Sequence, residues 1–449
     1  MSTPSGSRYR RPRALSPLRE HLRDTFWFAP TAGMAIVVVL WVLASFLDTE
    51  IVTLLQADRD FDAVAGLIGF AEDAKTIITS VSSAMMTFIG VVFSISLVAV
   101  QMASGQFSPR VVRIFVRSRI TKLTFAVFLA TFVLSLLVMG AYDGETDPEL
   151  VSSVPLVQSA LTMVMVGLSL LLFIAYVSST LRLMRVSHVI DRISRESMAL
   201  LRRPEWAGTW ETGGAGGEGQ GEGEGLGEEV ARFAHQGRAG VLRDVHIARL
   251  VRVARRRGVV LRLIPRIGDF VVPGTPMIAV HGGKGVTPKA LRYSVSVGVE
   301  RTFHQDLGFG LRQLADIALR ALSPAVHDPT TAVQALDRIV QFLSAAAELP
   351  LGALWHRDAK GVVRFVQDVP GWADLVDLGL SEIRGAVMGN PQVSRRMMAG
   401  VEDLLLLAPE GRREVLLRHR ALLVETVERT VPDAAEREFA LTADRQGIG

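Results

Sequence analysis

The sequence contains no cysteine and very little lysine, and each shortage limits the chemistry open to the protein. Without cysteine, the 449-residue chain has no disulfide, no thiolate metal ligand and no cysteine nucleophile. Lysine supplies only five of the 49 basic residues, so arginine carries almost all of the positive charge. Charged residues make up 21% of the chain, and the mean hydropathy is +0.31. Ordinary soluble domains carry about 25% charged residues, so the composition favours a membrane protein.

Charge is completely missing from four long apolar segments in the first part of the chain. Each segment is close to or above the ~20 residues that a helix needs to cross the hydrocarbon core of a bilayer. A helix is the expected form, because it satisfies its own backbone polar groups inside the membrane. The sequence therefore predicts four transmembrane helices, at Phe26–Leu47, Thr76–Ala103, Leu123–Ala141 and Pro155–Leu181.

The segments that connect these helices alternate in charge. Arginine is concentrated in the N-terminal arm 1–25, in the loop 110–122 and directly after the fourth helix. The loops after the first and third helices carry mainly aspartate and glutamate. Arginine-rich loops are retained on the cytoplasmic side, so both termini are expected in the cytoplasm and the protein in the cell membrane. The basic loop 110–122 is expected to contact anionic membrane lipids.

The rest of the chain is polar enough to fold outside the membrane. We expect a transmembrane domain at 26–181, with the fourth helix continuing into a helical connection at 182–210. A flexible Gly/Glu-rich loop follows at 211–229, with nine glycines and six glutamates. A small β-rich unit is expected at 230–300 and a mainly helical domain at 301–449. The fold class is thus an α-helical integral membrane protein with a cytoplasmic α+β domain.

Local signals divide the last domain further. Asp328 is a good N-cap and Pro329 a good first residue for a helix beginning there. The sequence LWHRDAKGVVRFVQD after it predicts a β-hairpin. Glycine and proline then separate three more predicted helices, near 371–388, 391–408 and 411–429.

The second apolar segment carries a regular stripe of small or polar residues. They recur at intervals of three or four residues, with one interval of seven, so they share one face of a helix. Either the stripe packs against neighbouring helices, or it lines a hydrated path between the subunits of a homo-oligomer. Proton-coupled transport is not expected, because the four segments hold no carboxylate or histidine. The stripe consists of Thr76, Ser80, Ser83, Thr87, Gly90, Ser94 and Gln101.

A second group of polar residues lies between residues 301 and 331. Histidines next to aspartates can act as a base and its partner in an enzyme, but no nucleophile motif accompanies them here. We therefore expect no enzymatic activity; the group either forms salt bridges and helix caps or lines a ligand cleft. The candidate residues of a cytoplasmic ligand cleft are Arg301, His304, Asp306, Arg312, His327 and Asp328.

No metal, cofactor or nucleic acid is expected as a ligand. The sequence HGGKG at 281–285 departs from a phosphate loop, because Ile278 stands where a glycine is required and Gly285 where a hydroxyl residue is required. The turn-rich segment 266–280 contains no lysine that could carry a prosthetic group. The basic residues form no motif that reads a nucleic acid.

Three motifs together resemble an uncharacterised family of bacterial predicted membrane proteins. They are QMASGQFSPRVVRIFVRSRITK, GDFVVPGTPM and RTFHQDLGFGLRQLADIALRALSPAVHDPTTA. The resemblance covers most of the chain and implies four N-terminal membrane helices followed by a C-terminal cytoplasmic domain. The chain departs from the family pattern at His327, where an asparagine is usual. The resemblance implies no established activity.

These patterns lead to one functional expectation and one alternative. The stripe and the absence of a catalytic motif favour an oligomeric channel or transport-like pore with a cytoplasmic regulatory domain. Alternatively, the protein is a membrane-anchored ligand sensor or scaffold that has no pore.

Overall fold

The computed structural model divides the chain into two compact units that meet in sequence at Arg185 and Val186. We call them the first unit, which ends at Arg185, and the second unit, which begins at Val186. The basic arm 1–25 lies outside the described residues, as do most of the basic loop 110–122 and residues 211–225 of the Gly/Glu-rich loop. The structure describes residues 27–106, 118–142, 151, 153–183, 185–203, 226–283, 285–291, 293–387 and 389–447.

The described part of the first unit consists of four helices, each long and apolar enough to cross a membrane. All four predicted transmembrane segments are confirmed as helices, and the predicted fold class with them. The helices are α1 (Phe28–Ala57), α2 (Phe61–Gln106), α3 (Arg119–Gly140) and α4 (Leu156–Leu183).

The first two helices are longer than the sequence suggested. Most of the acidic stretch 48–75, which we had expected to be a loop, is helical, and a short turn joins α1 to α2. The extension is stabilised by a core of its own, in which Val52 and Val64 pack with Val151 and Val154. Helix α2 has 46 residues. At ~1.5 Å per residue it is about 69 Å long, roughly twice the ~30 Å hydrocarbon core.

Asp48 of α1 stabilises the beginning of α4 across the bundle. Its carboxylate is 1% exposed. One oxygen accepts a hydrogen bond from the backbone N–H of Val157 at 2.6 Å, and the other from Gln158 at 3.3 Å. The first N–H groups of a helix have no partner within the helix. The carboxylate of Asp48, on α1, therefore acts as the N-terminal cap of α4.

The first part of the second unit combines a helix with short strands. The helix predicted to run on from the fourth span is a separate element, because the chain bends at Arg185. A helix, α6, lies between two of these strands in the chain. The elements are α5 (Val186–Leu201), β1 (Glu229–Ala234), β2 (Gly240–Val245), α6 (Ile247–Arg257), β3 (Val260–Leu263), β4 (Phe270–Val271), β5 (Pro276–His281), the single-turn α7 (Pro288–Leu291) and β6 (Val295–Gly298).

The second part is mainly helical, and the hairpin expected within it is confirmed by the antiparallel pairing of its two strands. The predicted cap is present too, since Asp328 accepts a hydrogen bond from the N–H of Thr331 at 3.0 Å. The elements are α8 (Leu307–Ala321), α9 (Pro329–Ala346), β7 (Ala353–Arg357), β8 (Val363–Asp368), α10 (Trp372–Ala386), α11 (Pro391–Leu407), α12 (Arg413–Thr430) and α13 (Ala434–Leu441).

The strands form two sheets in the second unit. The larger sheet has the order β1-β5-β3-β8-β7, and the smaller has the order β4-β2-β6. Strand β8 pairs in parallel with β3, with Leu261 opposite Phe365. The sheet therefore takes strands from both sides of residue 300, where we had placed a boundary between a β-rich unit and a helical domain. That boundary does not separate two independent sheets.

Candidate functional site

The predicted stripe lies on the outer side of α2. All seven of its residues are exposed in the single chain. The helix packs against its neighbours through the opposite side, where Ile78, Met85 and Val92 are at most 2% exposed. At 3.6 residues per turn, these buried positions lie about half a turn away from the stripe. The stripe therefore does not pack against the described helices of its own chain.

The serines of the stripe use their hydrogens within α2. Ser80 donates to the carbonyl of Thr76 at 3.1 Å, Ser83 to that of Thr79 at 3.3 Å and Ser94 to that of Gly90 at 2.9 Å. A hydroxyl has one hydrogen and two lone pairs. Once the hydrogen is bound to the backbone, the oxygen remains free to accept. The outer side of α2 thus presents hydrogen-bond acceptors without a net charge.

The two ends of the stripe differ. One turn before Thr76, on the same side of the helix, lies the exposed carboxylate of Glu72. Between Ser94 and Gln101 the same side carries Val98, which is 49% exposed. The stripe therefore runs from an acidic end, through a stretch of hydroxyls, to an apolar position. We call the exposed side from Glu72 to Ser94 the polar face of α2.

A different set of hydroxyls joins α2, α3 and α4 to one another. Ser82 of α2 donates to Ser135 of α3 at 2.7 Å, and Ser96 of α2 lies 2.6 Å from the hydroxyl of Tyr176 on α4. Thr131 and Ser169 join α3 to α4 at 3.0 Å, again between side-chain oxygens. The sequence interpretation missed these pairs. The regular spacing of Thr124, Thr131 and Ser135 along one side of α3 was the available signal.

The candidate cleft residues of the second unit lie in three separate places. The first surrounds the beginning of α8, where Arg301 binds both oxygens of Asp306 at 2.6 and 2.7 Å. Asp306 is 3% exposed, and burial raises the pKa of its carboxyl despite the opposing effect of Arg301. Gly268 lies against the pair with a φ of +101°, and a Cβ there would come within 2.6 Å of Asp306. Asp306 is thus tightly enclosed, whereas Arg301 is 28% exposed.

His304 belongs to the same place but is held as a neutral group. Its backbone carbonyl accepts a hydrogen bond from Arg203, and its ring nitrogen Nε2 lies 3.8 Å from Asp244. Burial, followed by the positive charges of Arg203 and Arg243, lowers the pKa of His304 to about 4. A histidine with such a pKa is not protonated at neutral pH and so does not bind an anion by charge.

The remaining three candidates have structural roles elsewhere. Arg312 bridges Asp316 on its own helix, at 2.6 Å, and Glu382 on α10. Asp328 caps α9, and His327 is exposed with a φ of +47°. Helix α8 spans 15 residues, about 22 Å at ~1.5 Å per residue, and separates the place around Asp306 from His327. The six residues therefore do not form one cleft.

No metal site emerges from the described residues. Within them, no group of three or more histidine, aspartate or glutamate side chains is arranged to hold an ion. The polar face of α2 and the Arg301–Asp306 pair are thus the two features that the candidate residues build.

We expect Asp306→Ala to destabilise the second unit by about 2 kcal/mol, because it removes two charge-assisted hydrogen bonds and leaves the partly exposed Arg301 without its carboxylate. Thermal unfolding of the purified full-length protein measures this loss. A control is Asp403→Ala, which removes an ion pair with the exposed Arg445 and is expected to cost less than about 1 kcal/mol. Equal losses in the two variants would contradict a structural role for the buried pair.

The chain is similar to proteins that have been described only in general terms. A family model described as "Predicted membrane protein (DUF2254)" matches residues 23–403. The uncharacterized proteins Rv1290c of Mycobacterium tuberculosis and Mb1321c of Mycobacterium bovis are each 28% identical over 437 residues. These matches cover 95% of this chain and 79% of each relative. No solved structure matches the chain.

The family match agrees with the resemblance carried by the three sequence motifs. The first motif begins after the polar face of α2, and the third contains Arg301 and Asp306. The family match also agrees with the four helices that are long enough to cross a membrane. Because the model covers most of the chain, including both features, the protein belongs to the predicted membrane protein family DUF2254.

Proposed function

We propose that the protein assembles into a homo-oligomer in the cell membrane, in which the polar faces of α2 from several subunits line a path across the bilayer. The observation that carries the proposal is the exposure of the complete stripe on the side of α2 that the described helices of its own chain leave uncovered. A path between subunits gives these polar groups water or each other as neighbours, instead of lipid.

In the alternative, the stripe packs against other helices of the same chain. Other residues already make the polar contacts between those helices. The hydroxyl pairs Ser82–Ser135 and Thr131–Ser169 link the helices of the bundle. Interhelical hydrogen bonds of this kind contribute about 0.6 kcal/mol each in membrane proteins. The bundle therefore has its polar contacts without the polar face of α2, which leaves that face for another copy of the chain or for water.

The chemistry of the face favours a permeant cation. Its serine oxygens accept hydrogen bonds and carry no net charge, and Glu72 adds a negative charge at one end. Rings of acidic side chains select cations in channels. We place both termini in the cytoplasm, from the arginine-rich segments, and assign the second unit a regulatory rather than a catalytic role.

The test is reconstitution of the purified protein into planar lipid bilayers, with the subunit number measured in detergent and in nanodiscs. We expect a defined oligomer and a cation current. A monomeric protein with silent bilayers would contradict the proposal. Silent bilayers together with a partner bound by the full-length protein would instead favour the ligand sensor or scaffold.

We expect Glu72→Gln to reduce the preference for cations several-fold while the current remains. The variant removes one negative charge per subunit from the mouth of the path and keeps the shape of the side chain. Reversal potentials in a salt gradient measure the change. Glu50→Gln is the matched control, because Glu50 is an exposed glutamate of α1 outside the polar face. If both variants shift the reversal potential equally, Glu72 has no special place at the mouth.

A further inference from the structure

Helix α6 of the second unit has an arginine-rich side that faces away from the protein. Ile247, Leu250 and Ala254 form its buried side and join the core around the larger sheet. Three arginines, at positions 249, 252 and 256, recur at intervals of three and four residues on the opposite side. Arg255 and Arg257 flank this row. We call the side formed by these five arginines the arginine face of α6.

The arginine face has no acidic partner within the part of the chain that the structure describes. None of its five residues takes part in an ion pair with the described residues, and those at 252, 255, 256 and 257 are exposed. The neighbouring arginines differ, since Arg262 pairs with Asp368 at 2.9 Å and Arg266 with Asp374 at 2.7 Å. The sequence offers no nearby compensation either. From residue 246 to residue 298, Asp269 is the sole acidic residue, against ten arginines and lysines.

Helix stability accounts for only part of this arrangement. The last turn of α6 holds Arg255, Arg256 and Arg257, where positive charge interacts favourably with the helix dipole. Arg249 lies near the beginning of the helix, where the same dipole disfavours positive charge. A row of positive charge along the whole exposed side therefore calls for a negatively charged partner outside the described residues.

We propose that the arginine face of α6 binds the headgroups of anionic phospholipids at the membrane surface. The guanidinium group binds phosphate through paired hydrogen bonds, and clusters of basic residues on an amphipathic helix are attracted to anionic lipid. The second unit begins at Val186, directly after α4 ends at Leu183. Because the second unit is covalently joined to α4, the lipid surface is present at a high effective concentration around it. The proposal does not depend on a pore.

The absence of native cysteine provides a direct test on the full-length protein. Thr287→Cys places one thiol at an exposed position beside α7, which packs against α6. A fluorophore on this thiol is followed in nanodiscs that carry a trace of headgroup-nitroxide lipid, a quencher. The discs contain phosphatidylcholine alone or phosphatidylcholine with phosphatidylglycerol. We expect strong quenching only with phosphatidylglycerol, and its loss at high salt, because salt screens exposed charges.

The variant Arg252→Gln/Arg256→Gln separates the arginine face from other basic segments. Each arginine near an anionic surface favours the docked state about fivefold. Loss of two arginines therefore lowers the ratio of docked to undocked protein roughly 25-fold. The control Arg420→Gln/Arg429→Gln removes the same charge from exposed positions of α12 and is expected to keep the quenching.

Three results would overturn the proposal. Equal quenching in the two kinds of disc would mean that anionic lipid is not recognised. A nucleic acid would be the partner if an RNA or DNA oligonucleotide binds the protein in phosphatidylcholine discs and the α6 variant loses this binding. In that case no lipid-dependent quenching is expected. The third result is a fluorescence that changes in the triple variant Glu218→Gln/Glu222→Gln/Glu224→Gln and stays the same in the α6 variant. That result would mean that the acidic segment of the same chain covers the arginine face.

Discussion

Thr87→Leu is expected to abolish most of the current through the reconstituted protein. Thr87 lies in the middle of the polar face of α2, where one substitution is repeated in every subunit around the proposed path. Leucine replaces a hydroxyl by a larger apolar group, so the change both narrows the path and removes water from it. Apolar constrictions close channels by expelling water. We expect the current to fall by about tenfold or more, and Ser83→Leu to act in the same direction.

Two companion variants make this result specific. Thr87→Ser retains the hydroxyl and is expected to retain the current. Thr53→Leu changes a threonine on α1 that is also exposed. Its hydroxyl donates to the carbonyl of Thr49 at 2.8 Å, and the variant is expected to have no effect. A full current in Thr87→Leu, with normal assembly, would show that ions do not pass along this face.

Acidification is expected to destabilise the second unit strongly below pH 6.5. Burial lowers the pKa of His356 to about 3 and, with two nearby arginines, that of His304 to about 4. In the unfolded chain both rings bind a proton near pH 6.5. Their stabilising contribution is therefore fully present above pH 6.5 and is lost as the pH falls towards the folded pKa values. At pH 4 the two losses together are on the order of 5 kcal/mol.

Thermal unfolding of the full-length protein between pH 7 and pH 4 measures this effect. The double variant His304→Gln/His356→Leu has neither titrating ring and is expected to lose much less stability over this pH interval, whatever its stability at pH 7. The control is His327→Asn, which changes an exposed histidine and keeps a residue that tolerates the φ of +47°. If the double variant is as acid-sensitive as the natural chain, these two histidines do not control the transition.

The membrane helices and several details of the second unit could be predicted from the sequence, because they depend on local patterns. Runs without charge mark the four spans, and the Asp328-Pro329 pair marks the beginning of α9. The hairpin of β7 and β8 is marked by alternation around a glycine. Each signal reflects interactions between residues that are close in the chain, and so it is readable without knowing the fold.

The features that the sequence did not reveal depend on distant contacts. The acidic stretch after the first span is helical because Val52 and Val64 meet Val151 and Val154, which lie far along the chain. The parallel pairing of β3 with β8 joins residues about 100 positions apart. The six candidate cleft residues lie in three places. Arg312 pairs with a residue of another helix and Asp328 caps the beginning of α9, and composition does not specify either contact.

The sheet that joins β3 to β8 also sets an order for biosynthesis. Strand β3 leaves the ribosome about 100 residues before its parallel neighbour β8. Contacts that are distant in sequence form slowly, and until they form the exposed strand edges favour aggregation. Until β8 emerges, β3 therefore has only β5 as a partner, and the core around Phe365 is open. A chain shortened before residue 368 would reach the membrane with its spans intact and with a second unit that has no completed sheet, which makes it a substrate for quality-control proteases.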